Sequence, residues 1–419
     1  MAARPASRVE VVLAARVVGG SGGGGGPPGG RLGVRVDRVL VDAAVTAELL
    51  ATAAAATGAR PRIAEPTRWA FVAGPELPPA QRLELAECVS ALGAALALEP
   101  ALAGLPGVVA TDEGLVGSDD VVVGTTADVG ALGALGCVAL HCGLAELSGL
   151  LGDPILPTAV PRTRFVRVTG RLPRWSAGFD LALAVLDAAG GAAAASGAIL
   201  ELHGESIEAL DVPGRLALCG TLALAGVAAI VPPDARTRTW LAARRPAAAE
   251  SAPATASEPA AAPPAGVDWI EVDAALARPA ALEGGMAGRR VDPGSAAVPV
   301  VECLVGGRIE DLRQAAEVLR DRNARRGLAL GIQPSSQRAL LHAIDEGLAA
   351  DFLRAGATLL PPGSRPGRPI DGRTRALTIA GGPADLLANP AVVAASAIPG
   401  RLMEPEGMRR AIPRDSRLR

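Results

Sequence analysis

"CLVGGRIEDLRQAAEVLR", residues 303–320, carries a cysteine, a glycine turn and a helix in that order. Glu310 and Asp311 fall in the first helical turn, Leu312, Ala315, Ala316, Val318 and Leu319 share one face, and the arginines come late. Acid early and base late complements a helix macrodipole, so a helix is expected to begin near Glu310. A thiol beside a glycine turn at a helix N-terminus is where a chain presents a nucleophile or a metal ligand, because the helix end favours the thiolate. The function then turns on whether Cys303 has partners.

Downstream, "LALGIQP" (328–334), "ATLLPPG" (357–363) and "ALTIAGG" (376–382) read as strands, alternating with helices that begin near Glu310 and Ser336. Upstream the same alternation holds. "RLGVRVDRVLVD" (31–42) reads as a strand and "TAELLATAAAATG" (46–58) as a helix stopped by Gly58. "WAFVAG" (69–74) and "DVVVGTT" (120–126) read as short buried strands, and "AQRLELAECVSALGAAL" (80–96) as a helix carrying Cys88. "FDLALAVLDAAG" (179–190) is a helix, and "RLALCGTLALAGVAAIVPP" (215–233) a helix followed by a strand. Such alternation predicts an α/β protein with parallel sheets covered by helices, and ligands at the loops beyond the strand C-termini.

Punctuation divides the chain. Residues 1–30 hold an N-terminal helix and the flexible "GGSGGGGGPPGG" (19–30), and "RPAAAESAPATASEPAAAPPAG" (245–266) is a Pro/Ala/Ser linker. The expected parts are 31–244 and 267–405, with a disordered tail over 406–419.

Composition narrows the function classes. Hydrophobic residues make up 49 % and aromatics 2 %, so the core is built from Ala, Leu and Val. The chain has no Tyr and no Lys, which removes both from any catalytic scheme. A net charge of −2 with mixed signs gives no case for nucleic acid, and no apolar run is long enough to span a membrane. Five cysteines without regular spacing fit a reducing cytoplasm, the expected location. "GGSGGGGG" lies between no strand and helix, and "GALGALG" (130–136) lacks dinucleotide spacing, so neither is read as a nucleotide loop.

From Cys303 onward the order of features resembles the aconitase / 3-isopropylmalate dehydratase large-subunit family. "CLVGGRIEDLRQAAEVLR" is similar to that family's "CTNGRxEDLxxAAxxLK", and "GIQPSSQRALLHAIDEGLAADFLRAGATLLPPG" to its Pro-(Gly/Ser)-Ser strand end, helix and strand. "NPAVVAASAIPGRL" resembles the closing "SPxxxAAxAxxG" helix. "GALGALG", "PRTRFVRVTGRLP", "GAILELHGESIEALDVPGRLALC" and "AAIVPPDARTRTWL" follow in family order in the first part. The resemblance implies a three-layer α/β/α body without the swivelling domain, which a small partner subunit supplies. It also implies a 4Fe–4S cluster with one iron open to a hydroxy acid, and dehydration with a serine alkoxide as base.

Several groups that the family uses are missing. A cluster needs three protein thiolates, of which Cys303 is one. In "PPGSRPGR" (361–368), the match to the family's "P-G-C-x-x-C" turn, Ser364 and Gly367 stand at the cysteine positions. Val123, Gly124 and Thr125 stand where the family has Asp-Ser-His, and Leu224 where it has a glutamate. "FVAGPELP" (71–78) lacks the Asp-His pair, and no "Asn-Arg-Asn-Phe" loop lies between "ALTIAGG" and "LLANPAVV".

The other candidates each carry a structural alternative. Cys303 is either a remnant cluster ligand or a small buried hydrophobe. Cys137, His141 and Cys142 in "CVALHC" have metal-like spacing, but on a helix they spread around it. His203 fits a strand and turn, His342 a helix surface, and Asp119 with Asp120 either a strand-entry turn or an acid/base pair. Ser335 and Ser336 fit an N-cap or, with Arg308, an anion site for a hydroxy-acid ligand. The strand-end loops near Gly306, Arg308 and Ser335 are the expected seat of the small subunit.

The resulting expectation is a catalytically degenerate family member with no cofactor, acting as structural or regulatory partner of a small subunit. The rival is a divergent hydro-lyase or isomerase acting on a hydroxy di- or tricarboxylate. RNA binding, known in the family, is disfavoured by the absence of a basic stripe.

Overall fold

The computed structural model describes residues 7–18, 31–73, 79–97, 104–159, 161–244, 266–286, 288–294, 298–362, 374–378 and 385–406. The chain forms two compact units. The first comprises Met1–Arg171 and Leu181–Leu276, the second Leu172–Asp180 and Ala277–Arg419.

The first unit holds two parallel sheets. One has five strands, in the order Ala95–Ala97, Trp69–Val72, Arg38–Asp42, Val121–Gly124 and Val138–His141. The other has four, in the order Ala228–Ile230, Ala198–His203, Arg162–Thr169 and Trp269–Asp273. A small antiparallel sheet joins Val17–Val18, Arg31–Arg35 and Ile155–Ala159. The helix Thr46–Thr57 ends where expected, at Gly58 in the left-handed conformation.

"GALGALG" makes up the second half of a buried 3-10 helix, Ala127–Leu135, and its left-handed cap Gly136, against the helix Val212–Leu224 and the strand Ala228–Ile230. A Cβ on Gly133 would stand 1.9 Å from the Ala229 carbonyl oxygen, and one on Gly130 2.3 Å from Ala223 Cβ. These glycines are there for close backbone approach.

Two local readings change. "RLGVRVDRVLVD" is two strands, 31–35 and 38–42, because Asp37 turns its carboxylate to accept from Val121 N–H at 2.8 Å. "CVALHC" is an edge strand, Val138–His141, rather than a helix. Its apolar run is too short for periodicity to separate the two.

A seven-stranded mixed sheet organises the second unit. Its order is Arg289–Val291, Ala281–Glu283, Asp385–Ala388, Thr374–Thr378, Val300–Gly307, Ala329–Pro334 and Thr358–Leu359. The last three strands run parallel, joined through the helices Ile309–Leu319 and Gln337–Asp345. The other pairings are antiparallel, including that of Thr374–Thr378, within which "ALTIAGG" begins. The sheets are thus rich in parallel pairs without being wholly parallel.

The segment Leu172–Asp180 is fastened into this unit by a buried carboxylate. Asp180 accepts from Ala177 N–H at 2.9 Å, Ala280 N–H at 3.0 Å and Asn389 Nδ2 at 2.7 Å. Asn389 also donates to the Trp175 carbonyl at 2.9 Å and caps the helix Pro390–Ala397. Trp175 itself is held at φ 71°, a region that bulky residues rarely adopt.

Candidate functional site

The parallel strands Val300–Gly307 and Ala329–Pro334 end side by side, Gly307 opposite Pro334, and each feeds a helix. This is the edge where ligands collect in α/β sheets. Ser335 N–H donates to the Gly307 carbonyl at 2.8 Å and ties the two strand ends together. Gly307, at φ +149°, lies under a carboxylate: a Cβ there would stand 2.4 Å from Asp311 Oδ2. That carboxylate accepts from Arg308 N–H at 2.9 Å and caps the helix Ile309–Leu319.

Ser336 caps the second helix, its hydroxyl accepting from Ala339 N–H at 3.1 Å. The Ser335 hydroxyl is buried and has no hydrogen-bond partner among the described residues. Arg308, Ser335 and Ser336 therefore meet at one edge, while Glu310 and Asp311 already place acid at the first helix end.

Cys303 is not at that edge. The strand continues through Gly306 and Gly307, so the thiol sits in the sheet, between Leu330 and Ala376 on the neighbouring strands. It is fully buried in the apolar core. Burial, with a smaller contribution from the Glu302 charge, pushes the thiol well up.

The other buried thiols are pushed up by burial too, Cys142 and Cys219 each to about 12 and Cys137 well above its usual range. Among the described residues no three His, Cys, Asp or Glu side chains stand together as a metal site. The donors described do not fit a 4Fe–4S cluster. Ser364 and Gly367 lie outside the described residues, as does most of the segment between "ALTIAGG" and "LLANPAVV".

In the first unit Val123 is buried in the core, and a Cβ on Gly124 would stand 2.8 Å from the Leu40 carbonyl oxygen. The Thr125 hydroxyl accepts from Asp42 N–H at 2.8 Å, and Leu224 ends the helix Val212–Leu224. Asp119 and Asp120 form the strand-entry turn: Asp119 is left-handed at φ 69° and pairs with Arg8, and Asp120 accepts from Gly117 N–H at 2.7 Å. Cys137 Sγ donates to the Gly117 carbonyl at 3.1 Å, whereas His141 is exposed, its Nε2 3.1 Å from the Thr125 carbonyl oxygen. The "CVALHC" residues thus face apart. His342 is exposed on its helix.

One arrangement was not read from the sequence. Glu201, 2 % exposed, lies two residues before His203 on one strand and accepts from its Nε2 at 2.9 Å. A polar pair spaced i, i+2 in a strand shares a face, which is the signal that could have found it.

The model of the Aconitase family (aconitate hydratase) matches residues 81–265. The 3-isopropylmalate dehydratase large subunit of Nitratidesulfovibrio vulgaris is 30 % identical over 315 residues, 70 % of this chain and 73 % of that protein. The large subunit from Moorella thermoacetica is 30 % identical over 314 residues, again 70 % and 73 % of the two chains. That of Mycobacteroides abscessus is 29 % identical over 371 residues, 74 % of this chain and 76 % of the relative. No helix among the described residues is long and apolar enough to cross a membrane. With this α/β fold, and relatives matched over some seven-tenths of their length, the chain belongs to the aconitase family.

Proposed function

We propose that this chain is a large-subunit-like member of its family that carries no cluster, performs no dehydration, and acts in the cytoplasm as the structural or regulatory partner of a small subunit. The observation that carries the reading is the placement of Cys303, a fully buried side chain packed inside a sheet. A cluster iron needs thiolates that converge from loops, and the sequence has no other cysteine after Cys219. Arg308, Ser335 and Ser336 at the strand-end edge remain as contacts for a hydroxy-acid ligand, and the same edge is the proposed seat of the small subunit. The names of the relatives, all large subunits, support the partner.

The test is iron and sulfide analysis of protein purified and reconstituted without oxygen, followed by assay of 2-isopropylmalate, citrate and homocitrate. Colourless protein that co-purifies with a small subunit and turns over none of these acids is expected. Stoichiometric iron and sulfide, lost on Cys303→Ser, would overturn the reading in favour of a working hydro-lyase.

A further inference from the structure

The four-stranded sheet of the first unit displays two rows of side chains on one face. Glu201, Phe165 and Trp269 are paired in register across three strands, and His203, Arg167 and Glu271 form the next row. In a parallel sheet such a face is ordinarily apolar and covered. Here His203 has 17 %, Arg167 42 % and Glu271 56 % of its side chain exposed.

The Trp269 indole is the centre of the arrangement. Arg167 Cζ lies 4.1 Å from the ring centroid, and the His203 imidazole meets the same ring edge-on at 5.6 Å between centroids. Phe165 packs against both rings. The imidazole is held by its Nε2 on the buried Glu201, whose other oxygen accepts from Arg8 N–H at 2.8 Å. Arg167 gives Nη1 to Glu271 at 2.8 Å.

What remains is a set of donors. Among the described residues, Trp269 Nε1 and the Nε and Nη2 groups of Arg167 have no hydrogen-bond partner. None of these atoms is buried away from water. Indole and guanidinium nitrogens can only donate.

We propose that this face is a binding site for a small monocarboxylate, gripped by Arg167 with its carboxylate against the indole N–H of Trp269. The carboxylates of Glu201 and Glu271, and the Arg8 guanidinium paired with Asp119, are the other charges around it. Two resident carboxylates beside one guanidinium penalise a dianion about twice as much as a monoanion, which favours a monocarboxylate over doubly charged phosphate. The planar fork of Arg167 matches a carboxylate edge.

The test follows the four tryptophan indole N–H signals of the 15N-labelled full chain during titration with lactate, and separately with inorganic phosphate, with Trp269 assigned through Trp269→Phe. A saturable shift confined to the Trp269 signal is expected with lactate, weakened about tenfold by Arg167→Lys, which keeps the charge and loses the fork. Arg167 is half exposed, so the variant should keep its fold, and unchanged signals from Trp69 and Trp240 check this. Absence of a saturable shift up to about 20 mM lactate, well above a millimolar Kd, would overturn the proposal. So would tighter binding of phosphate, or lactate binding unaffected by Arg167→Lys.

Discussion

Replacing Cys303 by serine and by alanine separates a packed thiol from a ligand, because the two roles rank the variants in opposite order. The thiol is fully buried in a core cluster with Val305, Leu312, Leu330 and Ile332, and among the described residues no hydrogen bond is made to it. Cys303→Ala removes one buried sulfur, a small truncation costing about 1 kcal/mol. Cys303→Ser removes the same volume and adds a hydroxyl. Its neighbours are apolar and the backbone on both sides is already paired in the sheet. An unmatched buried hydroxyl costs about 1–3 kcal/mol more, so serine should cost about 2–4 kcal/mol in all.

For a unit of this size those losses lower Tm by about 3 °C for alanine and about 9 °C for serine. Calorimetry of the full chain, with and without iron, reads both. A metal ligand gives the reverse ranking, since serine retains an oxygen donor and alanine none. Serine as stable as alanine, or a Tm that rises with iron in the wild type and not in the alanine variant, would refute the packing argument.

Arg215, 1 % exposed, donates to the Ile207 carbonyl at 3.0 Å, the Glu208 carbonyl at 3.2 Å, Thr237 Oγ1 at 3.2 Å and Asp234 Oδ2 at 2.6 Å. Arg215→Met should cost about 4 kcal/mol in urea unfolding because it strands those acceptors; a loss under about 1 kcal/mol would contradict it. Asp180 is pushed up to about 7 by burial, partly offset by the Asn389 amide and the Ala177 and Ala280 N–H groups. A native value above the unfolded one means that the native state holds the proton more tightly. Stability should therefore fall by up to about 1.4 kcal/mol per pH unit between about pH 4 and 7, and Asp180→Asn should flatten that slope. An unchanged slope would place the titration elsewhere, Asp120 being the next candidate because burial raises it to about 6.

Much of the fold could be read from local chemistry. Acid at Glu310 and Asp311, Ser336 ahead of an amphipathic run and Gly58 behind another marked helix ends where the structure has them. Chain direction between distant strands was not readable, since nothing in "ALTIAGG" says that it runs against Val300–Gly307. The edge that gathers Arg308 and Ser335 followed from the rule about strand ends. Cys303 was misplaced, because two glycines after a thiol look like a turn and here continue a strand. The Glu201–His203 pair was within reach of an i, i+2 reading of one strand, but the rows around Trp269 depend on register between strands that begin 107 residues apart, at Arg162 and Trp269, and register is not written in any one segment.

The fastening of Leu172–Asp180 sets a clock on the making of the protein. The Ala280 N–H that Asp180 needs lies 100 residues further along the chain, and the Asn389 amide 209 residues further. At about 5–20 residues per second, a ribosome takes roughly 10–40 s to supply the last donor. Once it has left the exit tunnel the Trp175 loop waits without the amide that holds its carbonyl, while the five-stranded sheet of the first unit, whose last strand ends at His141, can already assemble. A protease or chaperone that acts on this protein during synthesis should therefore find residues 172–180 first.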